Sequence, residues 1–454
     1  MEKGITSGVA RIAELFDPGT FAEIGAYVKR PDGGLTGVVC GYGAVDGKLV
    51  YAFAQDSDRR KGAFDALQAE KIASLYTMAV KNGAPVVGVF DSAGAILSDG
   101  ASAMSAYGKL LKTVSDASGV IPQIALITGV CAGLSATVAA MFDLTVTVKG
   151  SAELFVNAPF LIGKETGSAA YAAANGLSSV LAENEAEAVA KVKRLLSLLP
   201  SNNADGVTAE EIIDDVNRTV SVSGLTGRAL LEQLADAGLV LPVGEGYADG
   251  MLTAFVRFGG VTCGVIANNA QENGGVLTAD GAKKAAKLIS FCDSFSIPVV
   301  TLTDSTGVQA SAEAEAAPLA AQLGKLAMAY ASAECAKITV VTGKAYGASF
   351  TLMGSKALGA DMVYALPTAE ISVMDPAAAV AFLWNDRITP EVTRASLEEE
   401  WVEKHASPEA AACDGSIDDV IDPAELRQRI CSAVYMLLVK NSATPLRKHC
   451  NLPL

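Results

Sequence analysis

Two patterns of apolar residues alternate along the chain. Short, uninterrupted β-branched runs such as Val86–Phe90, Ile124–Thr128, Val299–Thr303 and Ile338–Thr342 predict buried strands. Longer mixed stretches, Lys61–Lys81 and Ala279–Ser294, predict helices ahead of two of those strands. Apolar strands alternating with helices predict an α/β class with mostly parallel sheets covered on both faces.

The pattern occurs twice. GAPVVGVFDSAGAIL around Pro85 and SIPVVTLTDSTGVQA around Pro298 pair at a constant offset of 213, which also relates Lys71 to Lys284 and Leu75 to Leu288. Downstream, Ile124–Gly133 faces Ile338–Gly347 at an offset of 214. The AELFVNAP run from Ala152 then faces AEISVMDP from Ala369 at 217. Three ordered matches with small drifts predict a duplicated domain with loop insertions. Pro200, Ser201, Asn202 and Asn203 stop the helix before them and mark the boundary. The expected organisation is a domain over 1–203, a bridge over 204–245 and a second domain over 246–454. The tail after Glu398, with its mixed-charge Asp418–Arg429 stretch, is expected to form closing helices, and GEGYADG (Gly244–Gly250) a hairpin loop.

Each copy runs its first strand into Asp-Ser-x-Gly and its second into a glycine turn that opens a helix, Leu134–Met141 or Ala348–Lys356. Backbone N–H groups at such a turn point outward unpaired and favour negative charge. One reading is an oxyanion hole per copy, at Cys131–Ser135 and at Ala345–Ser349, suited to the charge that develops on a thioester enolate. The other is that glycine merely ends the strand and lets the helix pack closely; spacing alone leaves both open. Asp91-Ser92 and Asp304-Ser305 are candidate carboxylate sites, although Asp and Ser after a strand commonly form turns. Lys344 and Lys356 flank the second turn, with solvated surface the default.

Composition removes several function classes. The net charge of −15 argues against a nucleic-acid surface. The two histidines, His405 and His449, lie near the C-terminus, so Ser135 and Ser349 have no base in either copy's core, and a His-rich metal site is not expected. LIGKETG (Leu161–Gly167) lacks the hydroxyl that a phosphate-binding loop carries after its lysine, so no ATP site is expected. The eight cysteines contain no CxxC pair and read as buried thiols of a reducing compartment. With no secretory signal and no apolar run of the ~18 residues a bilayer span needs, a cytoplasmic protein is expected.

The motifs resemble the carboxyltransferase subunits of biotin-dependent acyl-CoA carboxylases and of the related acyl-CoA decarboxylases. LFDPGTFAEI (Leu15–Ile24), the hairpin Gly41–Asp56, SGVIPQIALITGVCAG (Ser118–Gly133), LLSLLPSNN, FCDSFSIPVVTLTDSTG, KITVVTGKAYGAS, IDDVIDPAELRQRI and the ending RKHCNLPL carry it nearly end to end. The resemblance implies two tandem crotonase-like (ClpP/crotonase) domains and a homo-hexamer built as a trimer of dimers. Active sites would lie between the first domain of one subunit and the second of another. Acyl-CoA would bind mainly on the first domain, and biotin on a separate carrier protein mainly on the second. It implies that Gly133 and Leu134 hold the thioester oxyanion and that Ala348 and Ser349, after Gly347, hold the biotin ureido oxygen. Thr351, Asp304, Ser92 and Gly94 would complete the cofactor and substrate surroundings. The base would be biotin itself, consistent with a core without histidine. No biotin-attachment MKM occurs, so the carrier, and any biotin carboxylase or membrane decarboxylase subunit, would be separate chains.

Several positions depart from the family pattern. DSGGAR is met by DSAGAI, with Ile96 in place of arginine, CAGG by Leu134 after Gly133, and GGA by Gly347-Ala348-Ser349. The acidic TGEE…EELGG segment is replaced by Thr166–Leu177, and DVPGFLPG by Asp304–Ser311. The leading expectation is carboxyl transfer between biotin and a short acyl-CoA such as acetyl-CoA or propionyl-CoA. The alternatives are a catalytically weakened scaffold paralogue and the carboxyltransferase component of a membrane-coupled decarboxylase.

Overall fold

The computed structural model describes residues 6–30, 32–207, 209–441 and 453. The ending Arg447–Leu454, with His449 and Cys450, lies outside the described residues apart from Pro453. The described chain divides into two compact units. One holds the residues up to Gly206 with Gly244–Tyr247; the other holds Val207–Val243 and the residues from Ala248 onward.

In the first unit eight strands form one sheet: β1 Ala22–Ile24, β2 Val38–Val45, β3 Lys48–Gln55, β4 Val86–Ser92, β5 Gln123–Ala132, β6 Leu144–Val148, β7 Glu153–Phe155 and β8 Val180–Ala182. The order is β1-β2-β3-β4-β5-β6-β8, with β7 added beyond the end of β6 on β5. β2 and β3 form the antiparallel hairpin expected at Gly41–Asp56, turning at Asp46 and Gly47, both at positive φ. An Asp-Gly pair suits the turn that matches strand twist. From β3 onward every pairing is parallel. Val86, Val87, Val89, Phe90, Ile124 and Ile127 are fully buried, which explains why these strands read as unbroken apolar runs.

The second unit repeats the design. β9 Leu241–Pro242, β10 Met251–Phe258, β11 Val261–Asn268, β12 Val299–Ser305, β13 Lys337–Tyr346, β14 Met362–Ala365, β15 Glu370–Ser372 and β16 Asp419–Val420 form its sheet. The order is β16-β14-β13-β12-β11-β10-β9, with β15 on β13. The central strands of the two units match residue for residue, 8, 8, 7 and 10 long in both. Gly244–Gly250 connects antiparallel β9 and β10, as expected of a hairpin loop. Within 204–245 the helix Gly227–Leu234 also forms, and Val220, Leu230, Leu231 and Leu234 enter the core shared by Val256, Val265 and Ile430. Not all of the tail is helical: β16 inside Asp418–Arg429 pairs with β14.

Two helix boundaries differ from expectation. The first helix starts at Ala66, not at Lys61, because Arg60 and Lys61 take left-handed φ values of 52° and 53° and Asp65 caps the helix by accepting from Gln68 N at 2.9 Å. The helix after Gly347 ends at Leu352, short of Lys356. There Gly354 turns at φ 70°, and its carbonyl accepts from Thr339 Oγ1 at 2.6 Å.

Candidate active site

In each unit two turns meet at the C-terminal ends of the central strands. The register of β4 and β5 shifts between Phe90 and Ser92, which sets Ser92 opposite Cys131; β12 and β13 shift alike and set Ser305 opposite Ala345. Bulges of this kind aim strand ends and collect near functional sites. Both depend on a glycine across the strand. A Cβ on Gly129 would stand 2.3 Å from Asp91 Oδ1, and one on Gly343 would stand 2.3 Å from Asp304 Oδ1.

Gly133 (φ 62°, ψ −126°) and Gly347 (φ 57°, ψ −132°) end β5 and β13 and open the helices Leu134–Ala140 and Ala348–Leu352. This backbone region favours glycine strongly. The expectation that Gly133 itself donates to an oxyanion needs correction. Its N–H is bonded to Phe155 O at 2.8 Å, and that of Gly347 to Ser372 O at 2.8 Å, because β7 and β15 lie alongside the strand ends. The next N–H groups, on Leu134 and on Ala348 and Ser349, belong to a first helical turn and have no intrahelical acceptor. Leu134 is 36% exposed, so a solute can reach the turn.

The neighbouring turn contributes a position that the motif reading missed. Phe64 N donates to Gly94 O at 2.8 Å and Ile96 N donates to Phe64 O at 3.1 Å, a bridge that leaves out the N–H of Ala95 between them. In the second unit Leu277 bonds Gly307 O and Gln309 N in the same way, at 2.9 Å each, and leaves out Val308. Gly94 and Gly307 bring these turns against the glycine turns: a Cβ on either would lie 3.9 Å from Ala132 O or Tyr346 O. The repeated DSxG motif was the available signal, since the residue after its glycine falls at the same place in both copies.

The remaining candidates take structural positions. Asp91 pairs with Arg11 at 2.6 Å, and Arg11 also meets Glu185 at 3.0 Å. Burial disfavours the charge on Arg11, but the two carboxylates outweigh it and raise its pKa. Asp304 Oδ1 accepts from Lys344 N at 2.9 Å and so holds its own bulge. Ser92 is buried and accepts from Gly94 N at 3.2 Å. Ser135 is buried with its Oγ 2.7 Å from Tyr107 Oη, and buried Ser349 donates to Tyr346 O at 2.8 Å. His405 packs against Trp401, ring centroids 4.7 Å apart. Thr351 is exposed on the helix Ala348–Leu352. Lys356 pairs with Asp418 at 2.5 Å.

A cleft flanks each glycine turn. That of the first unit, about 520 Å³, is lined by Phe155, Pro159, Phe160, Glu153, Lys149 and Lys164. That of the second, about 540 Å³, has Lys344 and Tyr346 facing Glu370, Glu398, Glu399 and Glu403. Burial raises the pKa of Tyr346, and its hydrogen bond to Glu370 raises it further. Both clefts are of ligand size. Among the described residues there is no group of three or more His, Cys, Asp or Glu placed to hold a metal ion, and no helix is long and apolar enough to cross a membrane.

Comparison with known proteins agrees with this arrangement. The family model described as carboxyl transferase domain matches residues 1–452. Methylmalonyl-CoA decarboxylase subunit alpha of Veillonella parvula is 35% identical over 98% of this chain and 92% of its own. The carboxyltransferase subunit of propionyl-CoA carboxylase from Haloferax mediterranei is 34% identical over 100% of this chain and 94% of its own. Transcarboxylase 12S, solved with hydrolysed methylmalonyl-coenzyme A bound, superimposes with a TM-score of 0.93 at 34% identity, covering 98% of this chain and 92% of that one. The duplicated α/β units share its crotonase-like carboxyltransferase fold. The chain belongs to the carboxyl transferase domain family.

Proposed function

We propose that the protein moves a carboxyl group between biotin on a separate carrier protein and the α-carbon of a short acyl-CoA. The carrying observation is the pair of adjacent turns in the first unit, each of which presents an N–H outside its own backbone ladder, at Leu134 and Ala95. Removing or adding a carboxyl group at the α-carbon puts negative charge on the thioester oxygen. Two fixed donors stabilise that charge without reorganising, and loss of one such donor typically costs about 10²–10³ in kcat. The N–H of Leu134 is chemically equivalent to that of the glycine expected there. In the second unit Ala348 and Ser349, with Val308 beside them, would hold the ureido oxygen of biotin; the N–H groups of the first turn of the short helix fit an oxygen acceptor that gains negative charge when the carboxyl group leaves. Bound there, biotin would carry the carboxyl group and accept the α-proton, so this chain's residues orient and polarise while none of them titrates in the reaction. Ser92, Gly94, Gly347, Thr351 and Asp304 would shape the surroundings.

A homo-hexamer is proposed from transcarboxylase 12S, a multienzyme core that assembles as a hexamer. A cytoplasmic location is supported by seven described cysteines, all free thiols and six of them buried. The relatives of Veillonella parvula and Propionigenium modestum, named methylmalonyl-CoA decarboxylase subunit alpha, favour a second reading, the same chemistry run as decarboxylation. The direct test incubates the purified protein with free biotin and malonyl-CoA or methylmalonyl-CoA and follows loss of the carboxyl group. Turnover is expected; a correctly assembled hexamer inert toward every short dicarboxyl-CoA would instead indicate a scaffold paralogue.

A further inference from the structure

Beneath the first unit's two turns lies a buried hydroxyl cluster that the proposed chemistry does not use. Tyr107, on the helix Ala101–Ala117, has its Oη 2.7 Å from Ser135 Oγ. Ser135 is the residue directly after Leu134. Ser92 Oγ accepts from Gly94 N, the residue directly before Ala95. Tyr107, Ser92 and Ser135 are 2%, 0% and 1% exposed, so water does not replace these bonds. Phe64, whose backbone brackets Ala95, packs its ring on that of Tyr107 at 4.5 Å.

We infer that Tyr107 is a positioning residue: its hydroxyl, acting through Ser135, and its ring, packed on Phe64, fix the spacing between the N–H groups of Leu134 and Ala95. The inference rests on reading those two groups as the thioester site. A hydrogen bond loses strength steeply as its geometry departs from about 2.9 Å and a near-linear approach, so two donors on separate turns act together only if something rigid sets their separation. Tyr107 joins its own helix, the start of the helix Leu134–Ala140 and Phe64, none of which is a sequence neighbour of the others. The second unit is braced differently. Ser349 donates to Tyr346 O at 2.8 Å and reaches Ser305 O at 3.5 Å, and Tyr330, the tyrosine of the helix Leu319–Ser332, bonds Thr301 at 2.9 Å instead of the turn serine. A tyrosine bonded to the serine of the glycine turn therefore occurs in the first unit, at the turn assigned to the thioester oxygen, and not at the corresponding serine of the second.

The test uses Tyr107→Phe and Ser135→Ala in the full-length assembled protein. The carbonyl stretch of bound [1-¹³C]propionyl-CoA reports polarisation by the two donors and needs no turnover. Tyr107→Phe should keep propionyl-CoA affinity within about twofold while losing a clear part of the wild-type red shift. Its kcat for methylmalonyl-CoA decarboxylation should fall about 10- to 100-fold with KM nearly unchanged. Ser135→Ala should reproduce this split, and the double variant should be no worse than the more severe single. A wild-type red shift in both variants would overturn the positioning role alone. Equal losses of affinity, red shift and melting temperature in both would also overturn it, as marks of simple structural support. A wild-type protein that binds no acyl-CoA would overturn the thioester reading and this inference with it.

Discussion

Arg427, fully buried, donates from Nη2 to Asp236 Oδ1 at 2.6 Å and so ties the helix Leu426–Leu437 to the segment that precedes β9. The same guanidinium reaches Leu234 O at 2.5 Å and Asp215 O at 3.1 Å, while Asp236 also accepts from Gly259 N and Gly260 N at 2.9 and 2.7 Å. Every charge in this cluster is buried and bonded.

Arg427→Ala leaves Asp236 buried without its counter-charge and takes a hydrogen bond from each of Asp236, Leu234 O and Asp215 O. Removing one member of a buried pair typically costs about 3–5 kcal/mol. A fall of that order in urea-unfolding free energy is expected; a change under about 1 kcal/mol would show that water takes over the arginine's bonds.

Gly133→Val should abolish carboxyl transfer and leave assembly intact. No atom lies within 4 Å of a Cβ built on Gly133, so its cost comes from the φ of 62° and not from a clash. A left-handed residue with a β-carbon costs roughly 1–2 kcal/mol, enough to rotate the peptide that carries the Leu134 N–H without unfolding the unit. Steady-state kinetics and light scattering on the same sample separate the two effects, and an unchanged rate would remove the turn from the site.

Gly129→Ala acts through space instead. The methyl would meet Asp91 Oδ1 at 2.3 Å and drive the carboxylate off Arg11. Overpacking of this kind costs about 1–3 kcal/mol, and Gly343→Ala against Asp304 should do the same in the second unit. Calorimetry should find both variants destabilised by similar amounts; a neutral Gly129→Ala would show that Asp91 can swing clear.

Alkaline pH should destabilise the protein. Burial is the main cause that raises the Cys40 and Cys335 thiols to about 12 and Cys431 to about 11, against 9.0 for a free thiol. Cys131, Cys263 and Cys292 are raised by burial as well. The unfolded chain therefore releases these protons from about pH 9 while the folded one keeps them. Their stabilising contribution is whole below pH 9 and is lost progressively as pH rises toward 11–12. Lys71 and Lys337, lowered mainly by burial, act in the opposite sense below their usual 10.5, but six thiols outnumber them. Unfolding free energy should drop between pH 8.5 and 10.5, and a flat or rising profile would contradict the burial of the thiols.

Much of the architecture could be read from the chain before any coordinates. The strands around Val86, Ile124, Val299 and Ile338, their duplication and the Asp46-Gly47 hairpin follow from local preference and period, which neighbouring residues carry within themselves. So do the two glycine turns, since φ values of 62° and 57° leave glycine as the favoured choice. The sites were legible as places but not as donors. Whether a given N–H is free depends on what lies across from it, and Phe155 reaches Gly133 only because β7 pairs with the end of β5. Asp91 is an ion-pair partner because Arg11, 80 positions away, folds onto it. The same holds for Tyr107, whose hydroxyl finds Ser135 across two helices. The chain by itself therefore determined which segments are strands and where they turn. Only the tertiary structure decided which polar groups at those turns are already satisfied, because a hydrogen-bond partner is chosen by proximity in space and not in sequence.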